Sequence, residues 1–240
     1  MILYQLRYLL VPLYTIFWSL LACFVGVVDR RGQVVNWMGT TWLRWIYSTC
    51  QIRVKVAGLH HIDQTQTYVI MSNHQSLIDV GALVLALPIR WRFVAKRELT
   101  WIPLFGWALF LSNHILIDRS NRQRAVETLR KAARRVSEDV SVIIFPEGTR
   151  SKTGELQEFK SGGFHLALEA GVPILPVTVS GSRKITPKGT LSVRSGVVKA
   201  QIGKPIPTHS VSLTGRDQLK RQVHDAIFEG FDPSYQTMDF

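Results

Sequence analysis

The sequence predicts an α/β domain, with a mixed, mostly parallel central sheet flanked by helices, carried behind two membrane-associated helices at the N-terminus. Three observations carry that prediction. From Gln51 onward, short β-branched runs alternate with amphipathic helical patterns, as in a sheet covered on both faces. Before them lies a stretch from Leu9 to Val28 without a charge, bounded by Arg7 and by Asp29-Arg30-Arg31. The 240 residues combine a formal charge of +12 with 46% hydrophobic residues. A nucleic-acid binder usually shows the charge without the apolar excess, whereas a protein lying on anionic membrane phospholipids needs both. No nucleic-acid partner is expected. No composition break divides the later residues, so residues 1–50 are expected as a membrane-anchoring segment and 51–240 as one catalytic domain.

The uncharged run is long enough to cross a bilayer, and its Pro12 and Gly26 are tolerated in membrane helices. A secretory signal fits poorly, because the run is too long and no Ala-x-Ala site follows. Arg7 counted against Arg30 and Arg31 puts the following domain on the cytoplasmic face of the cytoplasmic membrane. Between Gly32 and Thr49, Val34, Met38, Thr41, Trp42, Trp45 and Thr49 share one helical face, with Val35, Trp37 and Ile46 beside it, and Arg44 is the sole charge. Three tryptophans in one short helix suit the headgroup region; the competing reading is a helix packed on the soluble core. Cys23 and Cys50 lack CxxC or Cys/His company, which argues against a disulfide framework and a zinc site.

Ile52–Val56 alternates like a half-exposed strand. Tyr68–Met71 and Val140–Phe145 read as buried central strands. Ile115–Ile117 and Ile174–Val179 read similarly, although Pro176 argues for an edge or irregular position. Ala125, Val126, Leu129, Ala132, Ala133 and Val136 mark one face of a basic helix that Ser120 or Asn121 can cap. Phe164–Ala170 is expected to close at Gly171. Leu219, Val223, Ala226 and Ile227 mark a final amphipathic helix.

The chemistry concentrates where strands end. His74 follows the run Tyr68–Met71, and Asp79 lies five positions on, near enough across a strand-to-helix turn to reach back to one ring nitrogen. A histidine oriented in this way, with its other nitrogen free, is a general base for a hydroxyl. Lys96 follows Trp91–Ala95, Arg119 follows Ile115–Asp118, and Glu147, Gly148 and Arg150 follow Val142–Phe145. Two arginines and one or two lysines beside a base describe a site for an anionic substrate that carries a hydroxyl. Ser76 invites a nucleophile reading, but no Gly-x-Ser-x-Gly elbow occurs.

These segments resemble the lysophosphatidic acid acyltransferases, the 1-acyl-sn-glycerol-3-phosphate acyltransferase or PlsC-like family. The blocks of resemblance are Asn73–Asp79 (Asn-His-x-x-x-x-Asp), Ile117-Asp118-Arg119, Phe145–Ser151 (Phe-Pro-Glu-Gly-Thr-Arg-Ser) and Val172–Val177, joined by Trp101–Gly106. Asn113 departs from the pattern, since glycine is common there, and His114 is unusual. The resemblance covers about residues 50–205 and implies a glycerolipid acyltransferase-like fold. It implies acyl transfer from acyl-CoA or acyl-acyl carrier protein to the sn-2 hydroxyl of lysophosphatidic acid, without a cofactor or metal. His74 would be the base and Asp79 its orienter. Arg150, Arg119 and Lys96 would bind phosphate or stabilise charge, with Gly148, Thr149 and Asn73 beside them. Glu147 would brace the turn, and backbone N–H groups near His74 would supply the oxyanion donors. The alternatives are an acyltransferase for another lysolipid, a thioester hydrolase in which His74 activates water, and a non-catalytic membrane-binding module.

Overall fold

The computed structural model describes residues 2–29, 32–118, 120–136, 140–190, 192–209, 215–232 and 234–237. Two helices open the chain, α1 (Ile2–Gly26) and α2 (Gln33–Thr49), followed by β1 (Ile52–Ala57), β2 (Val69–Ser72), α3 (Ile78–Ala86), β3 (Trp91–Lys96), α4 (Phe105–Leu111), β4 (Ile115–Ile117) and α5 (Arg122–Val136). Then come β5 (Ser141–Ile144), α6 (Gly162–Ala170), β6 (Ile174–Ser180), α7 (Ser182–Ile185), β7 (Gly196–Ile202), α8 (Arg216–Glu229) and α9 (Ser234–Thr237). The described strands form one sheet in the order β1-β7-β6-β2-β5-β3-β4. Every neighbouring pair is parallel except β6 with β7. This is the mixed, mostly parallel α/β sheet that the sequence predicts.

Side-chain alternation sorts each central strand between two cores. Ile70, Ile143, Leu175 and Val177 face α3 and the end of α2. Val69, Met71, Val142 and Ile144 face α5, α6 and α8, through Leu129, Phe164 and Val223. β2 is wholly buried because both of its faces are covered. Its C-terminal end, with those of the parallel β5, β3 and β4, opens at one edge of the sheet, where α/β proteins place their chemistry.

Of the two positions expected for Pro176, the irregular one is found. It lies in the fully buried β6 between two neighbours, not at an edge. The N–H of Ile174 points to Ile206, so the nitrogen of Pro176, two residues on, faces the same side. There the β7 ladder has ended at Ile202, and Pro176 offers only its carbonyl, to Gly203 at 2.9 Å. The missing donor falls where none is needed.

The caps follow their local chemistry. Asn121, rather than Ser120, caps α5 by accepting the Arg124 N–H at 3.0 Å, while Ser120 bonds Asp118. Gly171 takes φ 65° after α6. Asn113 takes φ 58°, so the non-glycine residue at this position is one that tolerates the left-handed region.

Tight packing joins α1, α2 and α4 through Trp18, Ala22, Val35, Met38 and Ala108. The single face expected for α2 is divided: Met38 is buried while Val34, Trp45 and the neighbouring Trp37 are exposed. Leu43, Tyr47 and Cys50, before residue 51, pack in the main core cluster. A window of α1, Leu9–Gly26, is apolar and long enough to cross a membrane, and little of it is covered by the protein.

Candidate active site

His74 lies on the loop between β2 and α3, and five positions suffice to bring Asp79 back to it. Nδ1 lies 2.9 Å from Asp79 Oδ2. The same oxygen accepts the N–H groups of Gln75 at 2.6 Å and Ser76 at 2.7 Å. An ionised carboxylate only accepts, so Nδ1 carries the hydrogen and Nε2 presents its lone pair. Nε2 has no partner among the described residues. The Asp79 side chain is fully buried and that of His74 is 16% exposed, so the base touches solvent and its orienter does not. Asp79 stands in the first turn of α3, where a negative charge is favoured. Beneath the imidazole, the Phe145 ring stacks at 3.9 Å between centroids.

The loop after β5 is laced to the same turn. Ser151 donates its N–H to the His74 carbonyl at 2.7 Å, and His74 donates its own to Glu147 Oε1 at 2.6 Å. Glu147 Oε2 accepts the Gln157 N–H at 3.1 Å and its Nε2 at 2.9 Å. Both oxygens of Glu147 are therefore spent on bracing the two loops. Burial raises its carboxyl above the ordinary value, against the pull of the His74 and Gln157 N–H groups. Asn73 is likewise internal. Its fully buried side chain donates to the Val179 carbonyl at 2.8 Å and accepts the Val179 N–H at 2.7 Å, which fastens the end of β2 to β6.

Gly148 turns the loop at φ 73°. Thr149 is exposed, and the Arg150 guanidinium has no hydrogen-bond or ion-pair partner among the described residues. The backbone of Arg150 is also held, its carbonyl accepting Lys188 Nζ at 2.5 Å. Arg150 thus sits one residue from the Ser151–His74 link with its charge unspent. Lys96, at the C-terminal end of β3, is ion-paired with Glu98 at 3.0 Å and half exposed. Arg119 lies outside the described residues.

One expectation is narrowed. The backbone N–H groups of His74, Gln75 and Ser76 are already committed to Glu147 and Asp79, so they are not free to hold an oxyanion. Ser76 is fully buried, with its hydroxyl on the Thr186 carbonyl. Sequence reasoning did not find Phe145, Gln157 or Lys188 as supports. The first lies inside a quoted block; the other two carry no local signal.

The model of the acyltransferase family matches residues 53–180, more than half of the chain. A 1-acyl-sn-glycerol-3-phosphate acyltransferase of Limnanthes douglasii is 36% identical over 81% of this chain and 68% of its own length. One of Saccharomyces cerevisiae is 32% identical over 97% of this chain and 80% of its own. The crystal structure of the 1-acyl-sn-glycerophosphate (LPA) acyltransferase of Thermotoga maritima superposes with a TM-score of 0.79 at 27% identity, covering 95% of this chain and 93% of that one. The chain belongs to the acyltransferase family, in the group that holds these 1-acyl-sn-glycerol-3-phosphate acyltransferases.

Proposed function

We propose that the protein transfers a fatty acyl group from a thioester donor, acyl-CoA or acyl-acyl carrier protein, to the sn-2 hydroxyl of lysophosphatidic acid, giving phosphatidic acid. The observation that carries this reading is the His74 ring held through Nδ1 by buried Asp79, with Nε2 unpartnered, on a turn bonded through Ser151 to the loop that carries Arg150. Nε2 removes the proton from the hydroxyl as its oxygen attacks the thioester carbonyl. The tetrahedral intermediate collapses, the C–S bond breaks, and the imidazolium returns its proton to the departing thiolate. Asp79 keeps the tautomer and stabilises the imidazolium between the two steps. Arg150 binds the acceptor's phosphate or the developing oxyanion, with Lys96 and Arg119 as further cations. Gly148 and Thr149 shape the loop that carries Arg150. Residues 1–50 anchor the chain and residues 51–240 catalyse, with the open sheet edge at the cytoplasmic surface of the membrane. There both substrates' acyl chains meet the protein.

The test supplies purified protein with labelled lysophosphatidic acid and, separately, each donor. Phosphatidic acid is the expected product, and His74→Ala is expected to lose about 10²–10⁴ in kcat, the usual contribution of a general base, with its melting temperature little changed. Free fatty acid released at the same rate without an acceptor would replace this reading with thioester hydrolysis. Wild-type turnover in His74→Ala would remove the base.

A further inference from the structure

Tyr47 stands in the last turn of α2, within the segment read as a membrane anchor, yet only 4% of it is exposed and its ring packs with Ile78, Ala82 and Leu83 of α3. Its hydroxyl donates to the Ile78 carbonyl at 2.5 Å. That carbonyl belongs to the first turn of α3, so a phenol from another helix is bonded directly to the turn. Gly81 makes the approach possible. A Cβ there would lie 2.5 Å from the Tyr47 ring and 2.6 Å from its hydroxyl oxygen, far inside van der Waals contact.

The residue after Ile78 is Asp79. That carboxylate hangs on one oxygen: Oδ2 takes His74, Gln75 and Ser76, while Oδ1 has no hydrogen bond among the described residues. Where Asp79 points therefore depends on where the first turn of α3 sits, and whatever fixes that turn also fixes the imidazole. The other end of α2 is fastened as well. Asn36 donates to the Trp91 carbonyl at 3.2 Å and accepts from Arg92 of β3. Asp29 accepts the Gln33 and Val35 N–H groups at the start of the helix. The outer side of α2 exposes Val34, Trp37 and Trp45. One helix thus links an exposed apolar surface to the turn that aims the base.

We infer that Tyr47 is a positioning residue for acyl transfer, holding the first turn of α3, and through it Asp79 and His74, from the helix of the N-terminal segment. This rests on the role proposed above for His74. Phenylalanine fills the same volume, so removal of the hydroxyl alone separates positioning from packing.

The experiment uses the full-length protein in lipid or detergent, as wild type and as Tyr47→Phe. In the variant kcat is expected to fall about tenfold, part of the 10²–10⁴ that a general base supplies. KM for lysophosphatidic acid is expected to stay unchanged, because Tyr47 is buried away from any acceptor. A second readout needs no turnover. In protein labelled with ¹⁵N-histidine, the downfield Nδ1–H resonance of His74, identified by its loss in His74→Ala, is expected to move upfield or vanish by exchange. Gly81→Ala, which pushes the intact phenol off α3, is expected to disturb the same resonance. A Tyr47→Phe protein with the wild-type resonance overturns the inference, even if it melts earlier or turns over more slowly, because the effect would not run through the dyad. If the wild type acylates no lysophosphatidic acid with either donor, the functional proposal fails, and the resonance alone decides the role of Tyr47.

Discussion

Glu147 keeps the two loops of the site together by accepting three N–H groups in a place where its own charge is costly. With its carboxyl raised above the ordinary 4.5, the folded chain binds more protons than the unfolded chain just above that pH. The stabilising contribution is therefore complete below 4.5 and is lost as pH rises through the folded value. Glu147→Gln abolishes that titration. In thermal melts, the wild type's stability relative to the variant is expected to decline as pH increases over this range; an advantage that grows with pH contradicts the assignment. At neutral pH the variant also turns an amide N–H toward a backbone N–H, and an unsatisfied buried donor costs about 1–3 kcal/mol. At this scale the His74–Asp79 pair was readable because its partners lie on one turn. What Asn73 and Glu147 bond to was not readable, because their partners, Val179 and Gln157, come from elsewhere in the chain.

Two turns show how the elements hold the site open. The loop after β5 reverses at Gly148, and a Cβ added at φ 73° would also lie 2.9 Å from Lys160 Nζ. Gly148→Ala is expected to cost about 1–2 kcal/mol, for a left-handed residue with a side chain, and to raise KM for the acceptor as Arg150 is displaced. Steady-state kinetics with a chemical denaturation curve would check both; an unchanged KM in a folded variant would separate Gly148 from substrate placement. The turn entering α4 is the harder case. Leu104 takes φ 62° and ψ −62°, and Phe105 donates to the Pro103 carbonyl at 2.7 Å, a γ-turn of the rarer, strained hand. Nothing in Pro-Leu-Phe-Gly announces that a leucine will hold this shape. Gly106 is clearer afterwards, since a Cβ there would lie 2.5 Å from the Leu99 carbonyl oxygen. Strands and helices were legible because periodicity is local; Pro176 stayed between edge and irregular position because a gap in the neighbouring ladder is not.

Over the whole molecule, exposed apolar side chains gather on the elements joined to α1. Phe24 and Val28 near its end, Trp101 before α4, and Trp107 and Phe110 within α4 are each more than half exposed, on a chain whose formal charge is +12. Fully burying one such side chain is worth about 1.5–3 kcal/mol. Replacing Trp101, Trp107 and Phe110 together by serine is expected to lower partition into anionic vesicles at least tenfold in a flotation assay. Added salt should weaken the wild type only in part; binding unaffected by the triple change would place the lipid contact elsewhere. The sequence made the sheet visible but not its order, because strand order is set by which ends meet over long separations. That order has a consequence for synthesis. β1 follows the N-terminal helices, yet its sheet partner is β7, and Ile52 pairs with Gly196, 144 positions later (196 − 52). At ribosomal rates of about 5–20 residues per second, the strand waits roughly 7–30 s for its mate to be made. During that interval Arg53 and Lys55, alternating with Ile52, Val54 and Val56, are the charges that keep an orphaned strand from sticking to its neighbours on the polysome.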